Sequence, residues 1–238
     1  MVKTGKKTER LDKFLTQAAK ISRSEAKQAV RKGQVMVNDI LAKKGEQKVD
    51  PKVDRIVFCG RELEYEPFRY WMLYKPAGVI SATEDARSQT VLDLIKEEKK
   101  GIFPVGRLDK DTEGLLLLTN DGALAHRLLS PRKHVEKKYF AILDGEIGEK
   151  EKQLFAQGID IGDEKKTLPA ILEDAGEKGQ VWITLQEGRF HQIKRMAQAV
   201  GRKVVYLKRV SMGPLVLDEK LKPGEYRPLT KEEREQLL

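Results

Sequence analysis

Residues Leu115–Thr119 read Leu-Leu-Leu-Leu-Thr, an apolar run without polar alternation, closed by the turn Asn120-Asp121-Gly122. A run this short, bounded by turn formers, is a buried strand. Such a strand needs a sheet around it and commits this part of the chain to a sizeable core. It is entered through Gly106-Arg107-Leu108-Asp109-Lys110-Asp111-Thr112-Glu113-Gly114, a loop dense in charge and bounded by glycines. A loop at the end of a rigid sheet is where site residues collect. Asp109 lies between Arg107 and Lys110, which favour its ionised form, and an ionised carboxylate is a competent nucleophile or base. Taken alone, a charged turn ahead of a strand is most often only a turn.

The pattern around this strand is strand-rich. Tyr70–Tyr74 reads as a strand ending at the turn Lys75-Pro76-Ala77-Gly78. Tyr139–Leu143, Val181–Leu185 and Val204–Val210 read as further strands. Helices are expected over Val91–Ile95, Ala123–Leu129 and about Phe190 to Val200, the last stopped by Gly201. Thr230 with Glu233 caps a final short helix. Strands and helices without regular alternation point to an α+β domain with a mixed, mainly antiparallel sheet, not a doubly wound one.

Residues 9–66 are different. Leu11, Phe14, Leu15, Ala18 and Ala19 recur at helical spacing. Ser22 and Glu25 form a capping box that opens a second helix, with Ala26, Ala29 and Val30 as its buried face and Gly33 as its stop. The period then falls to two, with Val35 and Val37 before the turn Asn38-Asp39 and Ile56–Phe58 before Gly60. This is a small two-helix plus short-strand domain, with a boundary near Glu66-Pro67. It divides the chain into residues 1–66 and 67–238.

Charge follows that division. The chain carries a net +9, from 46 Lys and Arg against 37 Asp and Glu. Residues 1–32 hold ten basic side chains (Lys3, Lys6, Lys7, Arg10, Lys13, Lys20, Arg23, Lys27, Arg31, Lys32) and three acidic ones (Glu9, Asp12, Glu25), a local balance of +7. A concentrated basic face attracts a polyanion and releases counterions from its phosphates. Two basic helices followed by short strands suit a nucleic-acid backbone.

Several classes fall away. No apolar run is long enough to span a membrane. The basic N-terminus has no apolar stretch behind it, so it does not read as a signal peptide. The single cysteine, Cys59, makes no disulfide framework or cysteine metal cluster, which fits a reducing, cytoplasmic setting. His126, His134 and His191 are scattered, and no phosphate-cradling glycine loop occurs. No metal and no cofactor are expected.

Two further segments are candidates for chemistry, though taken alone the first also reads as an ordinary strand aromatic and the second as an amphipathic surface helix. In Glu136-Lys137-Lys138-Tyr139-Phe140 a strand-opening tyrosine stands beside two lysines, an arrangement suited to base stacking and phosphate contact. In Gly188-Arg189-Phe190-His191-Gln192-Ile193-Lys194-Arg195-Met196 a strand turns into a helix with cations on several faces, and helix starts with Arg and Lys suit phosphate. Together with KPAG at Lys75–Gly78, FPVGRLDKDTEGLLLLTNDG at Phe103–Gly122 and PGEYRPLT at Pro223–Thr230, these segments resemble the RsuA family of RNA pseudouridine synthases, in order and over nearly the whole chain. Residues 9–66 resemble the small RNA-binding module named after ribosomal small-subunit protein four.

The resemblance implies roles. Asp109 matches the family's catalytic aspartate, Arg107 the residue that helps displace the target base, and Tyr139 the aromatic that stacks on the uracil. Lys194 matches the basic partner of the aspartate. Related families carry arginine there, so lysine supplies a point charge in place of a planar fork. Arg10, Lys13, Arg23, Lys27, Arg31 and Lys32 of the first domain, with Arg189, His191, Gln192 and Arg195, are the implied RNA contacts. The implied reaction isomerises a uridine in RNA: the N1–C1′ bond breaks, the uracil turns, and C5 bonds to C1′. Whether Asp109 attacks C1′, adds to the base or deprotonates the sugar is left open. The implied substrate is ribosomal RNA, nearest to the small-subunit (16S) enzymes, in a ribosome-assembly intermediate and with the protein as a monomer. The alternatives are a sister enzyme of large-subunit (23S) RNA and a non-catalytic assembly factor.

One internal control stands in the sequence. Arg-Leu-Asp occurs twice, at Arg10–Asp12 and Arg107–Asp109. Asp12 is expected at an exposed position in the first turn of a helix, where a carboxylate favours the positive end of the dipole.

Overall fold

A computed structural model describes residues 8–51, 53–63 and 68–237. The chain divides into two compact units, Met1–Pro67 and Phe68–Leu238. The expected boundary at Glu66-Pro67, and the basic residues Lys3, Lys6 and Lys7, lie outside the described residues.

In the first unit a short strand, β1 (Glu9–Arg10), leads into α1 (Leu11–Ala18), and α2 (Arg23–Arg31) follows. Leu11, Phe14 and Leu15 pack with Ala26, Ala29 and Val30, as their spacing predicts, over Val35, Val37 and Ile56. The capping box forms: Glu25 N donates to Ser22 Oγ at 3.2 Å, and Ser22 N donates to Glu25 Oε2 at 2.7 Å. Strands β2 (Val35–Val37) and β3 (Ile40–Leu41) make a hairpin whose turn residues, Asn38 and Asp39, both take positive φ. That geometry matches strand twist and is tolerated by Asn and Asp. β4 (Lys48–Val49) pairs with β1, while β5 (Ile56–Phe58) and β6 (Arg61–Glu62) extend the hairpin into a sheet of order β3-β2-β5-β6.

Asp12 departs from expectation. Its side chain is fully buried, and the Arg10 guanidinium grips it at both oxygens, at 3.0 and 2.7 Å. Arg23 stands 3.9 Å away. The turn around Gly45, whose carbonyl accepts from Asp12 N, brings this residue inside.

The second unit contributes β7 (Tyr70–Lys75), β8 (Phe103–Pro104), β9 (Glu113–Thr119), α3 (Gly122–Leu129), β10 (Lys137–Leu143), α4 (Glu149–Gln157) and β11 (Ile171–Asp174). It continues with β12 (Gln180–Leu185), α5 (Gln192–Ala199), β13 (Val204–Met212), β14 (Leu215–Val216), β15 (Tyr226–Pro228) and α6 (Lys231–Leu237). Among the described residues the sheet runs β11-β12-β10-β13-β9-β7-β15, with β14 beside β13 and β8 beside β9. Every pairing is antiparallel except β9 with β13, so the fold is α+β with a mixed sheet. That one parallel seam, Lys208 opposite Glu113 and Arg209 opposite Gly114, joins two antiparallel halves.

The apolar run of β9 is buried on both faces. Leu115 and Leu117 pack with Met72 and with Leu124 and Leu128 of α3. Leu116 and Leu118 pack with Trp71, Leu73 and Ile102. β10 instead alternates, with Lys137, Tyr139, Ala141 and Leu143 buried. Tyr139, Ala141 and Leu143 sit over Phe155 of α4 and Ile193, Met196 and Ala197 of α5.

Some elements differ from their expected bounds. Val91–Leu94 is a single 3-10 turn. α5 starts at Gln192, because His191 takes a left-handed conformation and turns the chain first. α4, β11 and β15 have no counterpart in the sequence reading.

Candidate active site

The loop between β8 and β9 is fixed from beneath. Lys75, at the end of β7, is fully buried. Its Nζ donates to the carbonyls of Asp109 (3.0 Å), Thr112 (2.7 Å) and Pro76 (3.0 Å), with Lys110 O at 3.4 Å. Gly78 N donates to Lys110 O at 2.7 Å. Ser81 Oγ donates to Leu108 O at 2.9 Å and accepts from Leu108 N at 3.0 Å. The KPAG turn and the residues after it thus cradle the backbone of residues 108–112. Burial pushes the Lys75 ammonium down to about 8, because desolvation penalises the charged form.

Held this way, the Asp109 carboxylate faces a cavity of about 610 Å³, lined also by Ser81, Arg107, Tyr139, His191 and Lys194. Arg107 is exposed at its rim. Tyr139, from β10, is 8% exposed, so its ring is part of the wall. Lys194, in the first turn of α5, places Nζ 3.2 Å from Asp109 Oδ2. The same ammonium lies 2.6 Å from Asp111 Oδ1, the shorter contact. Burial opposes the charge on Lys194, but the hydrogen bonds to Asp111 and Asp109 raise its pKa overall. The Lys194 hydrogen bond in turn lowers the pKa of Asp111. His191 Nε2 approaches Asp109 Oδ1 to 3.6 Å.

The four residues Asp109, Tyr139, Lys194 and Arg107 therefore meet at one cavity. They come from both sides of the β9/β13 seam. The other cations of the third motif are used differently. Arg189 donates to Glu187 (3.0 Å), Lys165 O (2.6 Å) and Lys166 O (2.7 Å). Arg195 donates to Asp163 (2.6 Å) and Phe190 O (2.8 Å). Gln192 is buried, its amide accepting from Arg189 N at 2.9 Å and donating to Glu187 at 2.8 Å. These three build the turn that carries His191 and Lys194.

In the first unit, Arg10 is committed to Asp12 and Glu46, and Lys13 lies 3.3 Å from Glu9. Arg23, Lys27 and Arg31 recur every fourth residue of α2 and are exposed, as is Lys32. Four-residue spacing sets three cations along one stripe of the helix.

The sequence reading missed Lys75 and Asp111 as site residues. Both stand inside recognised segments, but only the fold shows that one ammonium reaches carbonyls 34 to 37 residues away. Among the described residues no group of three or more His, Cys, Asp or Glu is placed to hold a metal ion. None of their helices is long and apolar enough to cross a membrane.

Residues 69–199 match the family model for RNA pseudouridylate synthase, and residues 9–54 match that of the S4 domain. The chain is 49% identical over 230 residues to an uncharacterized RNA pseudouridine synthase of Bacillus subtilis, covering 94% of this chain and 96% of that one. It is 43% identical to the ribosomal small subunit pseudouridine synthase A of Vibrio cholerae and 42% to that of Escherichia coli, each over 94% of this chain and 97% of the relative. A crystal structure of a pseudouridylate synthase superposes with a TM-score of 0.69 at 39% identity, covering 96% of this chain and 99% of the other.

Proposed function

Because the chain belongs to the RNA pseudouridine synthase family, we propose that it isomerises one uridine of small-subunit ribosomal RNA to pseudouridine, with Asp109 as the catalytic carboxylate. The observation that carries the site is the convergence of Asp109, Lys194 and Tyr139 on one cavity of about 610 Å³. The small-subunit reading rests on the 43% and 42% identity to enzymes named for that subunit.

The target uridine leaves its stack, at a cost of a few kcal/mol. Stacking against the Tyr139 ring returns about 1–3 kcal/mol. Arg107, exposed at the rim, helps displace the base. Asp109, oriented by Lys194 and by the Lys75 cradle, acts on the nucleotide as N1 leaves C1′. The uracil turns in the cavity, C5 bonds to C1′, and the C5 proton is lost while N1 gains one. Atoms and electrons balance without a donor, so the reaction calls for no cofactor. The cations of α2, with the rest of the basic first unit, hold flanking phosphates. The enzyme works as a monomer in the cytoplasm on a ribosome-assembly intermediate.

Mapping pseudouridine in the ribosomal RNA of a strain lacking this gene tests the reading. One uridine in the small-subunit RNA should stay unmodified and be restored by the purified protein on assembly-intermediate RNA. A missing site in large-subunit RNA instead would transfer the enzyme to that substrate. Unchanged modification in both would leave an assembly factor.

A further inference from the structure

Phe190 stands at the rim of the cavity and is 75% exposed. Among the described residues it is the one aromatic in the set of large apolar side chains left open to water. A ring so placed forgoes the free energy of burial, and the turn that carries it is firmly built. Arg195 Nε donates to the Phe190 carbonyl at 2.8 Å. Arg189 N and Gln192 close the turn around it. His191, at φ 48°, brings its imidazole flat against the phenyl ring, with centroids 3.8 Å apart and planes 18° apart. One face of Phe190 is thus covered and the other left free. Beneath the pair, His191 Nε2 is 3.6 Å from Asp109 Oδ1.

Resting on the reaction proposed above, we infer that Phe190, backed by His191, is a stacking platform for the nucleobase next to the target uridine. Tyr139 lies in the wall of the cavity and takes the displaced uracil. A neighbouring base, pulled from its own stack as the uridine leaves, meets the free face of Phe190 at the mouth. An aromatic face accepts any base by stacking and needs no hydrogen-bond readout. The platform therefore anchors the RNA strand at the entrance and sets how far the uridine is drawn in.

The test pairs protein variants with RNAs that differ at one position. The probes are short single-stranded RNAs with one uridine, carrying either an ordinary base or an abasic ribose on its 5′ or 3′ side. Phe190→Leu keeps apolar bulk and removes the ring; Phe190→Tyr keeps the ring. The leucine variant should bind the ordinary RNA about 5- to 150-fold more weakly than the parent. On the abasic RNA of one side it should match the parent, and the tyrosine variant should match the parent on all. A 2-aminopurine at that side should be quenched by the parent and by Phe190→Tyr but not by Phe190→Leu. Equal losses on ordinary and abasic RNAs of both sides, or no loss on any, would overturn the platform. Pseudouridine formed by the parent protein is scored separately, so the reaction and the platform stand or fall independently.

Discussion

Lys194 is shared between two carboxylates, and the closer one is not Asp109. Asp109 nevertheless lies deeper, 28% exposed against 72% for Asp111, and it alone lines the cavity with Tyr139. Asp109→Asn is nearly isosteric and removes only charge and nucleophilicity. It should abolish product in a single-turnover assay with enzyme in excess, while RNA affinity stays near that of the parent. Asp12→Asn is the control in that assay, since both stand in Arg-Leu-Asp. Turnover per bound RNA should be unchanged. Because Asp12 is buried and held by Arg10, its loss should cost about 1–2 kcal/mol of unfolding free energy. The Arg10 hydrogen bonds depress the Asp12 pKa, so this contribution is present above the ordinary carboxylate range and fades as pH falls through the lowered value. Lys75 changes stability with pH in the same direction, for a different reason: burial disfavours its charged form. Its pKa falls from the ordinary 10.5 to about 8, so the unfolded chain binds the proton more tightly between these values. The stability of the parent relative to Lys75→Met should therefore rise as pH climbs from 8 to 10.5, measured by denaturant titration. Asp109, Tyr139 and Lys194 could be picked out as candidates because their motifs are local strings, and the fold brings them to one cavity. The burial of Asp12 and the reach of Lys75 were not legible, since both depend on residues distant in sequence.

At the level of elements, β9 was readable because burial on both faces erases polar alternation. α1 and α2 were readable from spacing and from the Ser22 cap. α4 was not, because Phe155 is its one buried residue and Gly148 offers no side-chain cap. β11 and β15 are edge strands with little apolar content of their own, and their neighbours decide them. The parallel seam left no trace beyond Gly114. That residue holds φ at +105°, and a Cβ there would lie 2.2 Å from Arg209 O. Gly114→Ala must open the seam or strain the backbone, and should cost at least about 2 kcal/mol. For a chain of this size the melting temperature should fall by about 4–8 °C or more, read by calorimetry.

For the whole molecule, the proposed function assigns RNA affinity to the basic first unit and chemistry to the second. Removing residues 1–66 should weaken RNA binding and flatten its dependence on salt, because fewer phosphates are neutralised. Losing only the contacts of Arg23, Lys27 and Arg31 would reduce the slope of log affinity against log salt by about 2 for single-stranded RNA. Equal slopes with and without the first unit would remove it from the interface. The seam has a temporal meaning as well. Asp109 is delivered by the half containing β7 and β9, Tyr139 and Lys194 by the half containing β10 and β13. Arg209, which donates to Leu115 O at 2.8 Å, is 94 residues away along the chain. Closing so long a loop costs more chain entropy than the nearer pairings of β7 with β9 and of β10 with β12. A newly made chain is therefore expected to pair its nearer strands before the seam closes and brings Asp109 to Lys194, and so to hold helices and sheet before it is able to modify RNA.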